Sequence, residues 1–126
     1  MIREIFYKDV PSVKKLILSE IEKRQWTDQA GAGLDDQSIE TLLRLYMRTG
    51  FARIVEDGDM IVGFFVGYIA PYLLDMRHQA IHELMSGGEQ VDSLWQEFLQ
   101  WGRERKAVTA IVGCYDELQG SRFRRI

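Results

Sequence analysis

One cysteine, two prolines and no apolar run of membrane-spanning length mark this 126-residue sequence, and each scarcity removes a class of protein. A lone thiol, Cys114, closes no internal disulfide and supplies no cysteine-based zinc cluster, which fits a reducing, cytoplasmic setting. The most apolar stretch, residues 60–74, is interrupted by Pro71 and falls short of the roughly 20 residues that a spanning helix needs. The opening residues Met-Ile-Arg-Glu-Ile-Phe-Tyr interleave charge with apolar side chains where a secretory leader has a continuous apolar segment. An unprocessed chain with no membrane contact is therefore expected. An excess of one charge is also missing: 16 basic against 19 acidic residues leave a net charge of −3, no field that would gather nucleic acid.

What is present is a hydrophobic fraction of 46%, enough for one core, so a single domain over residues 1–126 is expected. Ile2, Ile5, Phe6 and Tyr7 mark a short strand. Asp9-Val10-Pro11-Ser12 then suits a helix start, because proline is tolerated in a first turn. Val10, Val13, Leu16, Ile17 and Ile21 recur at helical spacing to about Arg24, with Lys14, Lys15, Glu20, Glu22 and Lys23 opposite. Residues 25–36, with Gly31, Gly33 and three aspartates, read as a loop. A second helix opens at Asp36 or Ser38, presents Ile39, Leu42, Leu43 and Tyr46 on one face, and stops at Gly50.

Residues 51–55 and 60–70 predict two strands joined by Glu56-Asp57-Gly58-Asp59, a hairpin turn. A further strand is expected over 79–85, a loop at Ser86-Gly87-Gly88, and a helix with Val91, Leu94, Trp95, Phe98 and Gly102 inward. Ala107 to Val112 forms a last strand, and residues 116–125 a short helix. The class is α/β, with a mixed sheet and the order β-α-α-β-β-β-α-β-α. Trp26, Trp95 and Trp101 are expected in the core or at an interface.

Two segments carry a family resemblance. Val55-Glu56-Asp57-Gly58-Asp59-Met60-Ile61-Val62-Gly63-Phe64 looks like the V-E-D-G-x-I-V-G-F hairpin of the GNAT N-acetyltransferases. Glu97-Phe98-Leu99-Gln100-Trp101-Gly102-Arg103-Glu104-Arg105 looks like that family's A-L-I-E-W-A-K-E-R helix, again followed by a strand. The element order resembles the family over nearly the whole chain, without its last two strands. The resemblance implies acetyl-CoA as cofactor, with pantetheine held against a splayed strand and pyrophosphate on backbone N–H groups where a helix opens. Carried over, cofactor binding falls to Leu84, Met85, Ser86, Gly87, Gly88, Gln90 and Val91. Glu83 becomes a general base acting through water, and Tyr115, or else Tyr72, the acid that protonates the departing thiolate.

The loop departs from the family pattern. Ser86 stands where the family usually has arginine and Glu89 replaces a glycine. No lysine or arginine occurs between Arg77 and Arg103, whereas Glu83, Glu89 and Asp92 do. Acidic residues there equally suit a plain helix start. At the C-terminal end Phe123 takes the position of the family's acid tyrosine, and Asp116 that of its asparagine. With the closing strands missing, the strand over 107–112 is expected to be an exposed edge, open to a protein partner or a second copy. Arg122, Arg124 and Arg125 suit such an interface, a phosphate-bearing ligand or an exposed tail.

His78 and His82, four apart, lack a third and fourth ligand, so no metal site is expected. Ser121 has no triad partners at usable spacing. Two readings stay open: an acetyl-CoA-dependent N-acyltransferase of unknown acceptor, or a catalytically inactive GNAT-like binding or assembly subunit. The short chain resembles the GNAT-like proteins of tailed bacteriophages, some of them virion components, which would place it in the virion or host cytoplasm.

Overall fold

A computed structural model describes residues 1–24, 36–112 and 122–125. Its elements are β1 (Ile2–Glu4), α1 (Val10–Arg24), α2 (Asp36–Thr49), β2 (Phe51–Asp57), β3 (Met60–Tyr72), β4 (Asp75–Gly88), α3 (Val91–Glu104), β5 (Ala107–Val112) and β6 (Arg122–Arg125). Among the described residues the strands form one sheet in the order β1-β2-β3-β4-β5-β6. Neighbours run antiparallel except β4 and β5, which are parallel and linked through α3. A parallel pair needs such a crossover, because a tight turn cannot bring the chain back to the starting end.

Two apolar clusters sandwich the sheet. On one face Val13 and Ile17 of α1 and Ile39 and Leu43 of α2 meet Ala52, Ile54, Phe64, Val66 and Met85. On the other, Leu94, Trp95, Phe98, Leu99 and Trp101 of α3 meet Phe51, Val55, Phe65, Ile81 and Ala110. Alternation along β2 and β3 delivers successive side chains to opposite faces. Both faces are covered, which explains why β3 reads as an unbroken apolar run. Phe98 lies at the centre of the α3 side, its ring 4.7 Å from Phe65 and 5.2 Å from Phe51. Position 67 can only be glycine there, since a Cβ would stand 2.6 Å from the Phe98 ring.

Arg3 ties the first strand to the rest. Its guanidinium donates to both carboxylate oxygens of Asp9, at 2.7 and 3.0 Å, and to Glu56 Oε2 at 2.6 and 3.1 Å. Asp9 also accepts the Phe6 N–H at 2.8 Å. The Asp-x-Pro start thus does more than open α1: its carboxylate holds Arg3 of β1, which in turn reaches Glu56 of β2. These bonds hold the Asp9 carboxyl below its usual range, the Arg3 contact first and the Phe6 N–H after it, against the opposing effect of burial.

Three expectations change. The fourth strand of the sequence reading runs beyond 79–85, to Asp75–Gly88, so Ser86, Gly87 and Gly88 are strand residues paired with Phe65, Phe64 and Gly63. Residues Arg122–Arg125 form a strand instead of the end of a helix, and pair antiparallel with Thr109 to Val112. Strand 107–112 is consequently not the open edge expected for a partner, since Arg122–Arg125 pairs along it from Val112 to Thr109. The predicted loop over 25–35 and the residues Trp26, Cys114, Tyr115, Asp116 and Ser121 lie outside the described residues.

Candidate functional site

The register along β4 creates the site. Against β3, Val66 faces Met85 and Gly67 faces Glu83, leaving Leu84 as an extra residue in a bulge. Against β5, pairing runs only from Gln79 to His82, where His82 faces Ile111. Beyond His82 the second edge of β4 has no described strand beside it, which leaves a gap among the described residues along 84–88. A bulge bends its strand and locally raises its twist, which is how one strand can part from a parallel neighbour.

The gap ends at the start of α3. Gly88 has φ +80, and a Cβ there would lie 2.2 Å from the Val62 carbonyl, so only glycine fits. Glu89 N–H donates to Val62 O at 2.8 Å, which clamps the two-residue turn onto β3. Gln90 takes a left-handed conformation with φ 58 and accepts the Leu94 N–H at 3.1 Å, and its side chain makes no capping bond to the helix. The first-turn N–H groups of a helix have no intrahelical acceptor, and the macrodipole favours an anion near them.

The bulge also decides which way the side chains face. Glu83 and Ser86 both lie on the α3 side, although three apart, because Leu84 adds one residue between them; Ser86 Oγ lies 3.2 Å from Glu83 Oε2. Met85 faces the α1 side and is buried. Gly87 lies beneath Glu20 of α1, whose Cγ would be 2.7 Å from a Cβ at that position. The residues carried over from the resemblance, Glu83 to Val91, therefore form one continuous run of strand edge, turn and helix start. Tyr72 is not among them: it pairs with Asp75 at the far end of β4, roughly 25 Å along the strand from Glu83.

A residue weighed in the sequence only as a metal ligand stands next to the bulge. His82 stacks on Tyr68 with centroids 4.7 Å apart and planes 4° apart, and Tyr68 stacks on Tyr46 of α2 at 5.3 Å. Burial lowers the His82 pKa, so the ring is neutral near pH 7, and its Nε2 is buried without a hydrogen-bond partner. The signal that could have found it is its place one residue before Glu83: in a strand the two face opposite sides. His78 does not join it. That ring lies 3.6 Å from Asp75 instead, and among the described residues no three His, Cys, Asp or Glu side chains group as metal ligands.

A sheet with one parallel pair parted beside a helix start, two helices on one face and one on the other, is the fold of the GNAT acetyltransferases. Similar solved structures include a predicted acetyltransferase of Clostridium acetobutylicum with acetyl-CoA, at 10% identity and TM-score 0.70 over 87% of this chain and 77% of that one. A GNAT family acetyltransferase of Brucella melitensis in complex with acetyl-CoA matches over 100% of this chain and 86% of its own, at 12% identity and TM-score 0.67. The ribosomal-protein-alanine N-acetyltransferase of the same organism is 20% identical, with TM-score 0.66 over 88% and 72%. At these identities the likeness establishes the fold. No family model and no curated protein matches the sequence. Among the described residues no helix is long and apolar enough to cross a membrane.

Proposed function

We propose that this chain is an acetyl-CoA-dependent N-acyltransferase whose acceptor carries an amine. The observation that carries the reading is the second edge of β4 over residues 84–88, beside which no described strand lies, ending at the N–H groups that open α3. Such an edge suits the amides of a pantetheine arm, which need alternating donors and acceptors. Leu84, Met85, Ser86, Gly87 and Gly88 would supply that edge, and Gln90 and Val91 the helix start. The cofactor supplies the activated acyl group; the chain's part is to orient it, and to take a proton from the acceptor amine at Glu83, through water. Neutral His82, on the opposite face of the same strand, is the alternative proton acceptor. Tyr115 is retained as the acid for the departing thiolate.

The fit of the phosphates is less complete. Glu89 and Asp92 are exposed beside the helix start and Glu20 is buried over Gly87, so a diphosphate would rest on backbone N–H groups against nearby carboxylates. That acidic surround is the observation favouring the second reading, a GNAT-fold subunit that has lost catalysis and serves in binding or assembly. In that case the outer edge of β6, the last described strand, is the surface for a protein partner or a second copy.

Calorimetric titration with acetyl-CoA at two salt concentrations separates the two. The enzyme reading expects saturable binding with Kd below about 100 μM, roughly 5.5 kcal/mol. It also expects binding to hold or strengthen as salt screens the carboxylates. Absence of heat and of thermal stabilisation at millimolar acetyl-CoA would remove it and leave the binding-subunit reading.

A further inference from the structure

At the other end of α3, far from the turn at Gly88, a cavity of about 250 Å³ opens between the last turn of α2, the start of β2 and the residue following α3. Three arginines line it, Arg48, Arg53 and Arg105, with Glu4 as the one carboxylate. Two of the guanidiniums lie over aromatic rings, with Cζ 5.1 Å from the Phe51 centroid for Arg53 and 4.4 Å from the Trp101 centroid for Arg105. The rings are themselves fixed in the core, 5.8 Å apart, so the spacing of the two cations is set by packing. A guanidinium held over a ring by cation–π attraction can still donate its in-plane N–H groups to an oxyanion.

The carboxylates beside Arg53 and Arg105 are exposed and neutralise them only in part. Glu4 reaches Arg53 Nη1 at 3.1 Å, but its own side chain is 68% exposed, so that pair is screened by water. Arg105 donates one N–H to the Trp101 carbonyl at 3.2 Å and lies 3.9 Å from exposed Glu104, which leaves most of its donors unused. Arg53 Nε is buried with no hydrogen-bond partner. A buried charged donor without an acceptor is costly, and such groups call for an acceptor from outside the chain.

We propose that Arg48, Arg53 and Arg105 form a binding site for a small oxyanion, a phosphate or carboxylate compound, separate from the edge of β4. Arg53 supplies Nε and one Nη to the anion, Arg105 a second pair of donors, and Arg48 closes the cavity from α2. Phe51 is two strands from Glu83, by way of Gly67, with the Phe98 ring between the cavity and that part of β4. The site does not depend on acetyl transfer.

The test is a titration of the full chain with inorganic phosphate and, separately, with succinate, at constant ionic strength, following the arginine Nε–H resonances. A saturable shift of the Arg53 signal with Kd near or below about 1 mM is expected. Arg53→Gln should weaken it about ten-fold or more. Arg105→Gln, at a more exposed position, should weaken it as well while melting close to the parent. Preference for phosphate or for succinate identifies the oxyanion class. Three results would overturn the proposal: no saturation by either anion, both variants binding like the parent, or displacement of the anion by acetyl-CoA.

Discussion

Asp9→Asn tests whether the Arg3 cluster is held by charge or only by the local turn. Asparagine keeps an oxygen for the Phe6 N–H but loses the charge that receives two Arg3 donors at 2.7 and 3.0 Å. Hydrogen bonds to charged groups contribute about 1.5–3 kcal/mol each. Arg3 retains Glu56, at 2.6 Å, so it is not stranded, and the loss should fall below the roughly 3–5 kcal/mol of an orphaned buried charge. A cost of about 2–3 kcal/mol is expected. For 126 residues unfolding with about 2.1 cal/mol/K each, 1 kcal/mol corresponds to about 4 °C, so Tm should drop by about 10 °C at pH 7. The folded carboxyl lies below its ordinary value of 3.8, so its contribution is complete above that pH and disappears as pH falls through the folded value. The gap between parent and variant should therefore be full at neutral pH and narrow below about pH 4. Melting curves stepped through that range decide the matter. Equal Tm values at pH 7, or a gap that is constant down the series, would refute the reasoning and reduce Asp9 to a capping group.

Two further outcomes bear on the site. Gly88→Ala should cost more than Gly58→Ala: both have positive φ, worth about 1–2 kcal/mol, but only at Gly88 would the new Cβ meet an atom, the Val62 carbonyl at 2.2 Å. Urea unfolding of the pair isolates the clash, and equal losses would show that the turn is not clamped on β3. For His82, a folded pKa below the unfolded one means stability that is full above about pH 6.5 and is lost as pH falls toward the folded value. His82→Phe should flatten that part of the profile; an unchanged slope would place the proton elsewhere.

What the sequence revealed depended on how far each signal reached along the chain. The hairpin of β2 and β3 and the inward face of α3 were legible because alternation and helical spacing persist over many residues. The length of β4 was not. Asp75, Arg77 and His78 show no strand pattern and Ser86-Gly87-Gly88 looks like a loop, yet β3 pairs with β4 on both sides of the bulge as far as Gly88 and again at Asp75. The glycines are there because other groups come too close for a side chain, Glu20 at Gly87 and Val62 at Gly88. Four residues of Arg-Phe-Arg-Arg carry too little periodicity to separate strand from helix; pairing with Thr109 to Val112 decides it. The run 83–91 could be found by likeness to a motif, but which face Glu83 occupies depends on one extra residue at Leu84. No local pattern announces the arginine cavity, whose members are brought together from positions 48, 53 and 105 only by folding.

These two regions make opposite electrostatic demands at the two ends of one helix. α3 has 14 residues, so about 20 Å separates its start, surrounded by Glu20, Glu89 and Asp92, from its finish, where Arg48, Arg53 and Arg105 gather. That distance exceeds the Debye length of about 8 Å at physiological salt, so neither cluster compensates the other. An anion bound at the start is held by backbone dipoles against carboxylate repulsion, and added salt weakens the repulsion more than the short hydrogen bonds. An anion bound at the finish is held by the cations themselves, and added salt weakens the attraction. Opposite salt responses for acetyl-CoA and for phosphate would therefore assign each ligand to its own end of α3, whereas a common response would mean that both occupy one site.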